Sequence, residues 1–382
     1  MTEDPSIIQS ARQLLRGAWE TLSLTQHHDG ITGCHTDCVD VFIQKKYAEV
    51  RDTAQRVLHE SAMATSNADN GYVTVINVLP WDVHNSIVRV PEGKGLVSSD
   101  GVRLSPRTVC GGESRHNEVL IPTLTGLSVS AFRITEVEPR KVESVAHSAV
   151  QCGEYSAEFD AFGMSALRVS DLPNLVREGH HFGELQVQQD CGNLYVEKLT
   201  GTCVRAGDKA KIKRYGTRDA LGVSMTFAGD IIPDWCDGSL QWEQTFEFYE
   251  AMPLIRLRVR LDWRGSDARV LATFPVGLSA DSAMYEIPFG AVSRTGYADR
   301  CYARANQWPA QNWVAMSGND STFAVLTPGI GGVGIYPEEL QIPLLRSISP
   351  KHDDRKDMMS HDCGTGALAQ GGHEFELWLL YQ

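Results

Sequence analysis

Leu254-Ile255-Arg256-Leu257-Arg258-Val259-Arg260-Leu261 alternates apolar and charged residues along its length. A period of two places one set of side chains on each face of a sheet, so the segment reads as a half-buried β-strand. Segments of the same texture lie on both sides of it. Tyr72-Val73-Thr74-Val75-Ile76, Ser86-Ile87-Val88-Arg89-Val90, Leu127-Ser128-Val129, Thr226-Phe227, Thr245-Phe246-Glu247-Phe248-Tyr249 and Glu374-Phe375-Glu376-Leu377-Trp378-Leu379 all read as strands, punctuated by Gly and Pro. No long helical period occurs after Gly71, and there is no short repeat or low-complexity tract. An all-β region of about three hundred residues is expected to divide into more than one antiparallel β-sandwich.

Upstream the period changes. Ile7, Ile8, Ala11, Leu14, Leu15, Ala18, Trp19 and Leu22 recur at steps of three and four, as do Val39, Ile43, Tyr47, Val50, Ala54, Val57, Leu58 and Ala62. Two helices follow from this, over about Ser6–Leu24 and Val39–Met63, with Gly30 and Gly33 permitting the reversal between them. Ser66-Asn67-Ala68-Asp69-Asn70-Gly71 has the composition of a linker. The expected domains are residues 1–67, a partial helical bundle, and 68–382, a β-sandwich region of two or more subdomains. Two helices alone enclose little core, so a third bundle member is expected outside this chain. The uncovered face could also pair homo-oligomerically.

With 382 residues, 42% hydrophobic and 22% charged, the chain has an ordinary globular composition. Its net charge is −13, and its cations are scattered, which disfavours nucleic acid and anionic membrane as partners. No apolar run approaches the ~20 residues of a membrane span. Met1-Thr2-Glu3-Asp4-Pro5 is not a secretory signal, and nine irregularly spaced cysteines fit a reducing compartment. Both features lead us to expect a cytoplasmic protein. Cys34 and Cys38 flank His35, but no second Cys/His pair follows at finger spacing, so two thiols near a helix start is the favoured reading.

Gln26-His27-His28-Asp29-Gly30-Ile31-Thr32-Gly33 carries the chemistry. Imidazoles and a carboxylate gathered between two helices suit zinc or a similar divalent ion, although they cannot complete a four-ligand shell. The string resembles the Gln-His-His-Asp-Ala-Ile-Thr-Gly-Thr element of glycoside hydrolase family 38, the zinc-dependent retaining α-mannosidases, with Gly30 for Ala and Cys34 for Thr. The resemblance continues in order through Val75-Ile76-Asn77-Val78-Leu79-Pro80-Trp81, Gly153 to Asp160, Ala283-Met284-Tyr285-Glu286-Ile287-Pro288-Phe289-Gly290, Trp308-Pro309-Ala310-Gln311-Asn312-Trp313-Val314 and Gly372-His373-Glu374-Phe375.

The resemblance implies that His28 binds one zinc ion and that Asp29 contacts the hydroxyls of a bound mannoside or mannose-containing oligosaccharide. His27 is expected to play a supporting part. Arg346 lies near where some members send an arginine towards the sugar; an ordinary strand arginine is the competing reading. Trp81, Tyr285, Phe289 and Trp313 could stack on a sugar or simply pack. The two catalytic carboxylates and the remaining zinc ligands belong, by the same resemblance, to an α/β domain upstream. None of the His-x-Asp strings here leads into Pro-Gly-Trp. The chain is therefore expected to be inactive alone. Two rival readings stand beside it: a non-catalytic carbohydrate-binding β-sandwich, and an independent metal module using His28, Cys34, His35 and Cys38.

Overall fold

The computed structural model describes residues 5–31, 35–65, 71–111, 114–137, 143–145, 148–193, 196–209, 212–280, 282–295, 307–336, 338–349 and 366–382. They form two compact units, one drawn from residues 5–137 and the other from residue 143 onward. Antiparallel β-structure dominates the second, as the alternation predicts, and shares the first with the helices.

The first unit begins with the helices Pro5–Thr25 and Asp37–Thr65, each within two residues of its expected limits. Asp37 and Asp40 stand in the first turn of the second helix, where carboxylates complement the positive end of the helix dipole. The segment between the helices, expected as a loop, winds into a single helical turn, His28–Ile31. Here Gly30 is required by space. A Cβ on it would lie 2.9 Å from the Thr25 carbonyl oxygen and 3.1 Å from Ile43 Cδ1.

Two small sheets complete this unit. One has the strands Tyr72–Asn77, Ser128–Glu136, Lys94–Val97 and Arg103–Leu104 in that spatial order; the other has Val83–Pro91, Ser114–Leu124 and Pro106–Gly111. Val90, Leu96, Val119, Ile121, Leu124 and Phe132 form one core shared by the two sheets. Asn77 locks the corner. Its amide nitrogen donates to the carbonyls of Trp81 (3.0 Å), Leu124 (3.1 Å) and Thr125 (3.0 Å), and its oxygen accepts from the Leu79 amide (3.0 Å). That clamp gives the asparagine of Val-Ile-Asn-Val-Leu-Pro-Trp a physical reason.

The second unit is built on a ten-stranded and a six-stranded sheet that share a single large core, with a further three-stranded sheet. At the centre of the ten-stranded sheet, Ile255–Arg264 pairs with Ser239–Tyr249 on one side and Gly371–Tyr381 on the other. Its buried apolar side chains are those the alternation marks, Ile255, Leu257, Val259, Leu261 and Trp263, and Arg256 is buried on the opposite face. In the six-stranded sheet, Ala268–Pro275 is buried at every residue. Phe182 lies 5.0 Å from Phe274 and 4.9 Å from Phe323, ring centre to ring centre, and joins the sheets through an edge-to-face aromatic cluster.

Candidate functional site

The His-His-Asp turn is positioned by the end of the first helix. Gly30 and Ile31 donate their amides to the His27 carbonyl at 2.8 and 3.0 Å, so the chain turns tightly and presents consecutive side chains outward. His27 and His28 are both exposed, with ring centres 4.2 Å apart. A neutral imidazole can donate a ring nitrogen to a metal, the role expected of His28. The backbone of Asp29 belongs to the short helix, but its side chain lies outside the described residues, as do Thr32, Gly33 and Cys34. Among the described residues no three His, Cys, Asp or Glu side chains come together in a metal-binding group. His28 stands as an exposed imidazole outside any such group among the described residues. Of the other residues in the independent metal reading, His35 is turned towards Asp40, with Nε2 3.2 Å from Oδ1, and Cys38 Sγ lies 3.1 Å from the Thr36 hydroxyl.

Arg346 belongs to the second unit, on the strand Glu339–Ser347. Its Nε donates to Asp190 Oδ2 at 2.7 Å, and a terminal nitrogen donates to the Val196 carbonyl at 3.1 Å. Asp190 is fully buried, and its Oδ1 accepts from the amides of Gly192 (2.9 Å) and Lys198 (2.8 Å). Burial alone would raise this carboxyl. The Arg346 bond and the two amides outweigh it and hold Asp190 below the usual carboxylate range. Beside this pair, the buried Arg269 donates to Glu197 and, at 2.6 Å, to Gln188 Oε1. The sequence offers no local signal for such a network, because the bonds of its two arginines join segments 72 to 156 residues apart.

Three of the four aromatic candidates separate, whereas Trp313, at the start of the strand Trp313–Gly318, is half-buried. Tyr285 is buried and donates its hydroxyl to the Val333 carbonyl at 3.2 Å, which is a packing role. Trp81 is exposed, and Phe289 stands fully in solvent at the tip of a hairpin with φ of 65°. His180 and His181 are both engaged: His181 Nε2 lies 2.8 Å from Asp160 Oδ2, and His180 Nε2 lies 2.8 Å from an Arg177 nitrogen.

Comparison with known proteins fits this architecture. Residues 218–356 match the model for the glycosyl hydrolases family 38 C-terminal domain, and residues 4–64 match the alpha mannosidase middle domain, together more than half of the chain. The chain belongs to glycosyl hydrolase family 38. It is 24% identical over 371 residues to alpha-mannosidase 2C1 of Mus musculus, which is 91% of this chain and 33% of that protein. To alpha-mannosidase 2C1 of Homo sapiens it is 22% identical, over 89% of this chain and 32% of that protein. The chain thus spans about a third of the length of these curated relatives. The crystal structure of an alpha-mannosidase from Enterococcus faecalis V583 shares the fold, with a TM-score of 0.78 at 12% identity over 97% of this chain and 50% of that one.

Proposed function

We propose that this chain serves a zinc-dependent retaining α-mannosidase that removes terminal α-mannosyl residues. In that enzyme His28 gives the zinc one imidazole nitrogen, Asp29 holds sugar hydroxyls, and Arg346 stands as a further candidate for contact with the sugar. The observation that carries this reading is the match of both family domains, in order, in a chain aligned over 91% of its length with a protein named as an α-mannosidase. The exposed setting of His28 supports its part. Zinc, when bound, supplies a Lewis acid for sugar oxygens. One imidazole cannot hold it, so the remaining ligands come from outside the residues described.

Retaining hydrolysis also needs two carboxyl groups about 5–5.5 Å apart, one as nucleophile and one as acid. The family resemblance assigns neither to a position in this chain. The chain by itself is therefore expected to bind zinc weakly and to turn nothing over.

The test compares this chain with the gene's full reading frame on an aryl α-mannoside, with zinc and with chelator. The expected outcome is turnover by the long form only, lost with chelator, together with less bound zinc after His28→Ala. Turnover by this chain alone on the order of 1 s⁻¹, or an inactive long form, would overturn the proposal.

A further inference from the structure

The two ends of one face of the ten-stranded sheet are built differently. At one end Glu247 and Arg256 are buried, joined by a 2.5 Å bond, and Arg256 lies 5.5 Å from the Trp378 ring centre. At the other end the same face opens into a groove of about 720 Å³ whose lining comes entirely from the second unit.

Strand register lays that lining out as two rows. The first runs Lys213, Ala228, Glu243, Arg260, Glu374 across five neighbouring strands. The second, one residue pair further along, runs Asp230, Gln241, Asp262, Gly372. At the ordinary strand spacing of about 4.8 Å the first row is roughly 19 Å across. The small residues Ala228 and Gly372 leave the floor low between the polar side chains.

The charges are arranged to be read by a neutral ligand. Arg260 is clamped between two carboxylates, Glu243 at 3.3 Å and Glu374 at 3.1 Å, so much of the charge in the first row is already balanced. In the second row the Asp262 side chain is 46% exposed, and its Oδ1 is ion-paired with Arg264 Nε at 3.7 Å but has no hydrogen-bond partner among the described residues. The exposed part of this carboxylate can accept hydrogen bonds from ligand hydroxyls. Four carboxylates against two cations repel phosphate and sulfate. At the rim Tyr215 is half exposed, with its hydroxyl 3.5 Å from Glu243, and its ring can cover an apolar C–H face. A polyol with alternating donors, acceptors and C–H faces meets all of these demands.

We infer that this groove is a binding site for a neutral oligosaccharide, separate from the His28 motif and independent of the function proposed above. Asp262 and Gln241 supply the orienting hydrogen bonds, the Arg260 clamp presents further polar atoms, and Tyr215 provides the stacking surface.

The experiment is a calorimetric and saturation-transfer NMR titration of this chain with mannotriose and with maltotriose, with spermidine and inorganic sulfate run beside them. At least one trisaccharide is expected to saturate with Kd on the order of 1 mM, while sulfate does not bind. Asp262→Asn is expected to weaken binding about tenfold, the loss of one hydrogen bond to a charged group. Gly372→Leu is expected to abolish binding by filling the floor. A Cβ at Gly372 meets nothing within 4 Å, so the fold tolerates it, and Asp262→Asn decides if that variant fails to fold. His28→Ala leaves binding unchanged, which separates this site from the zinc motif. Failure of both trisaccharides to saturate, saturation by spermidine alone, or full binding by a folded Gly372→Leu or by Asp262→Asn would overturn the inference.

Discussion

The helices and the large β unit bury apolar residues to very different extents. In Ala268–Pro275 every side chain is enclosed, and Trp263, Phe182 and Phe274 have almost no contact with solvent. In the helices only Ile43 and Val57 are buried apolar positions, whereas Ile7, Ile8, Trp19, Leu24, Val41, Phe42 and Leu58 remain exposed. Both regions have a regular apolar period, so period alone does not measure stabilisation. A stripe contributes at about 25 cal/mol per Å² only when another surface removes it from water. The β unit holds that second surface within itself, and the described helical residues leave most of theirs uncovered.

Substitutions on the two sides of this contrast should differ most. Phe274→Ala empties a place in the aromatic cluster and is expected to cost about 3–5 kcal/mol, read as a lower midpoint in urea unfolding. Trp19→Ala removes a side chain that is 66% exposed, and is expected to stay within about 0.5 kcal/mol of the parent chain. Equal losses would break the comparison.

Arg346→Ala comes next in size. Removing it leaves Asp190 buried without its cation, a change worth about 3 kcal/mol. The pH dependence gives an independent check. Because the folded state holds Asp190 below the ordinary carboxylate range, its stabilising contribution is complete above the unfolded value near 3.9. It is lost as pH falls through the lower folded value. Without Arg346 the burial that opposes ionisation is less compensated, so acid unfolding of Arg346→Ala should begin at higher pH than in the parent chain. An unchanged acid midpoint would assign Arg346 no part in holding Asp190 charged.

The elements whose sequence carries their environment were legible. Ile255–Arg264 is half-buried, so its alternation identifies both the strand and its buried face. The helices are legible for the same reason at a period of 3.6. Ala268–Pro275 escaped because it is buried on both faces and therefore has no alternation to read. The His-His-Asp turn could be found because its polar groups are consecutive. The Asp190–Arg346 pair could not, nor could the groove. In both, the arrangement is created by strand register between distant segments, and each residue alone is an ordinary strand charge. Only the run Arg258, Arg260, Asp262 hints at a charged sheet face, and it does not say where that face becomes concave.

The smallest expected effect concerns His28. An exposed side chain on a four-residue helical turn, touching His27 and outside both hydrophobic cores, contributes little to folding. His28→Ala should therefore shift the urea midpoint of this chain by no more than about 0.5 kcal/mol of stability. The measurement matters because it separates two reasons for an imidazole to sit there. A structural histidine would reveal itself as a stability loss of 1 kcal/mol or more, and would weaken its assignment as a metal ligand. A neutral result means that folding does not demand the residue. The metal-ligand role proposed for His28 would then still stand, to be decided by zinc titration of the His28→Ala variant.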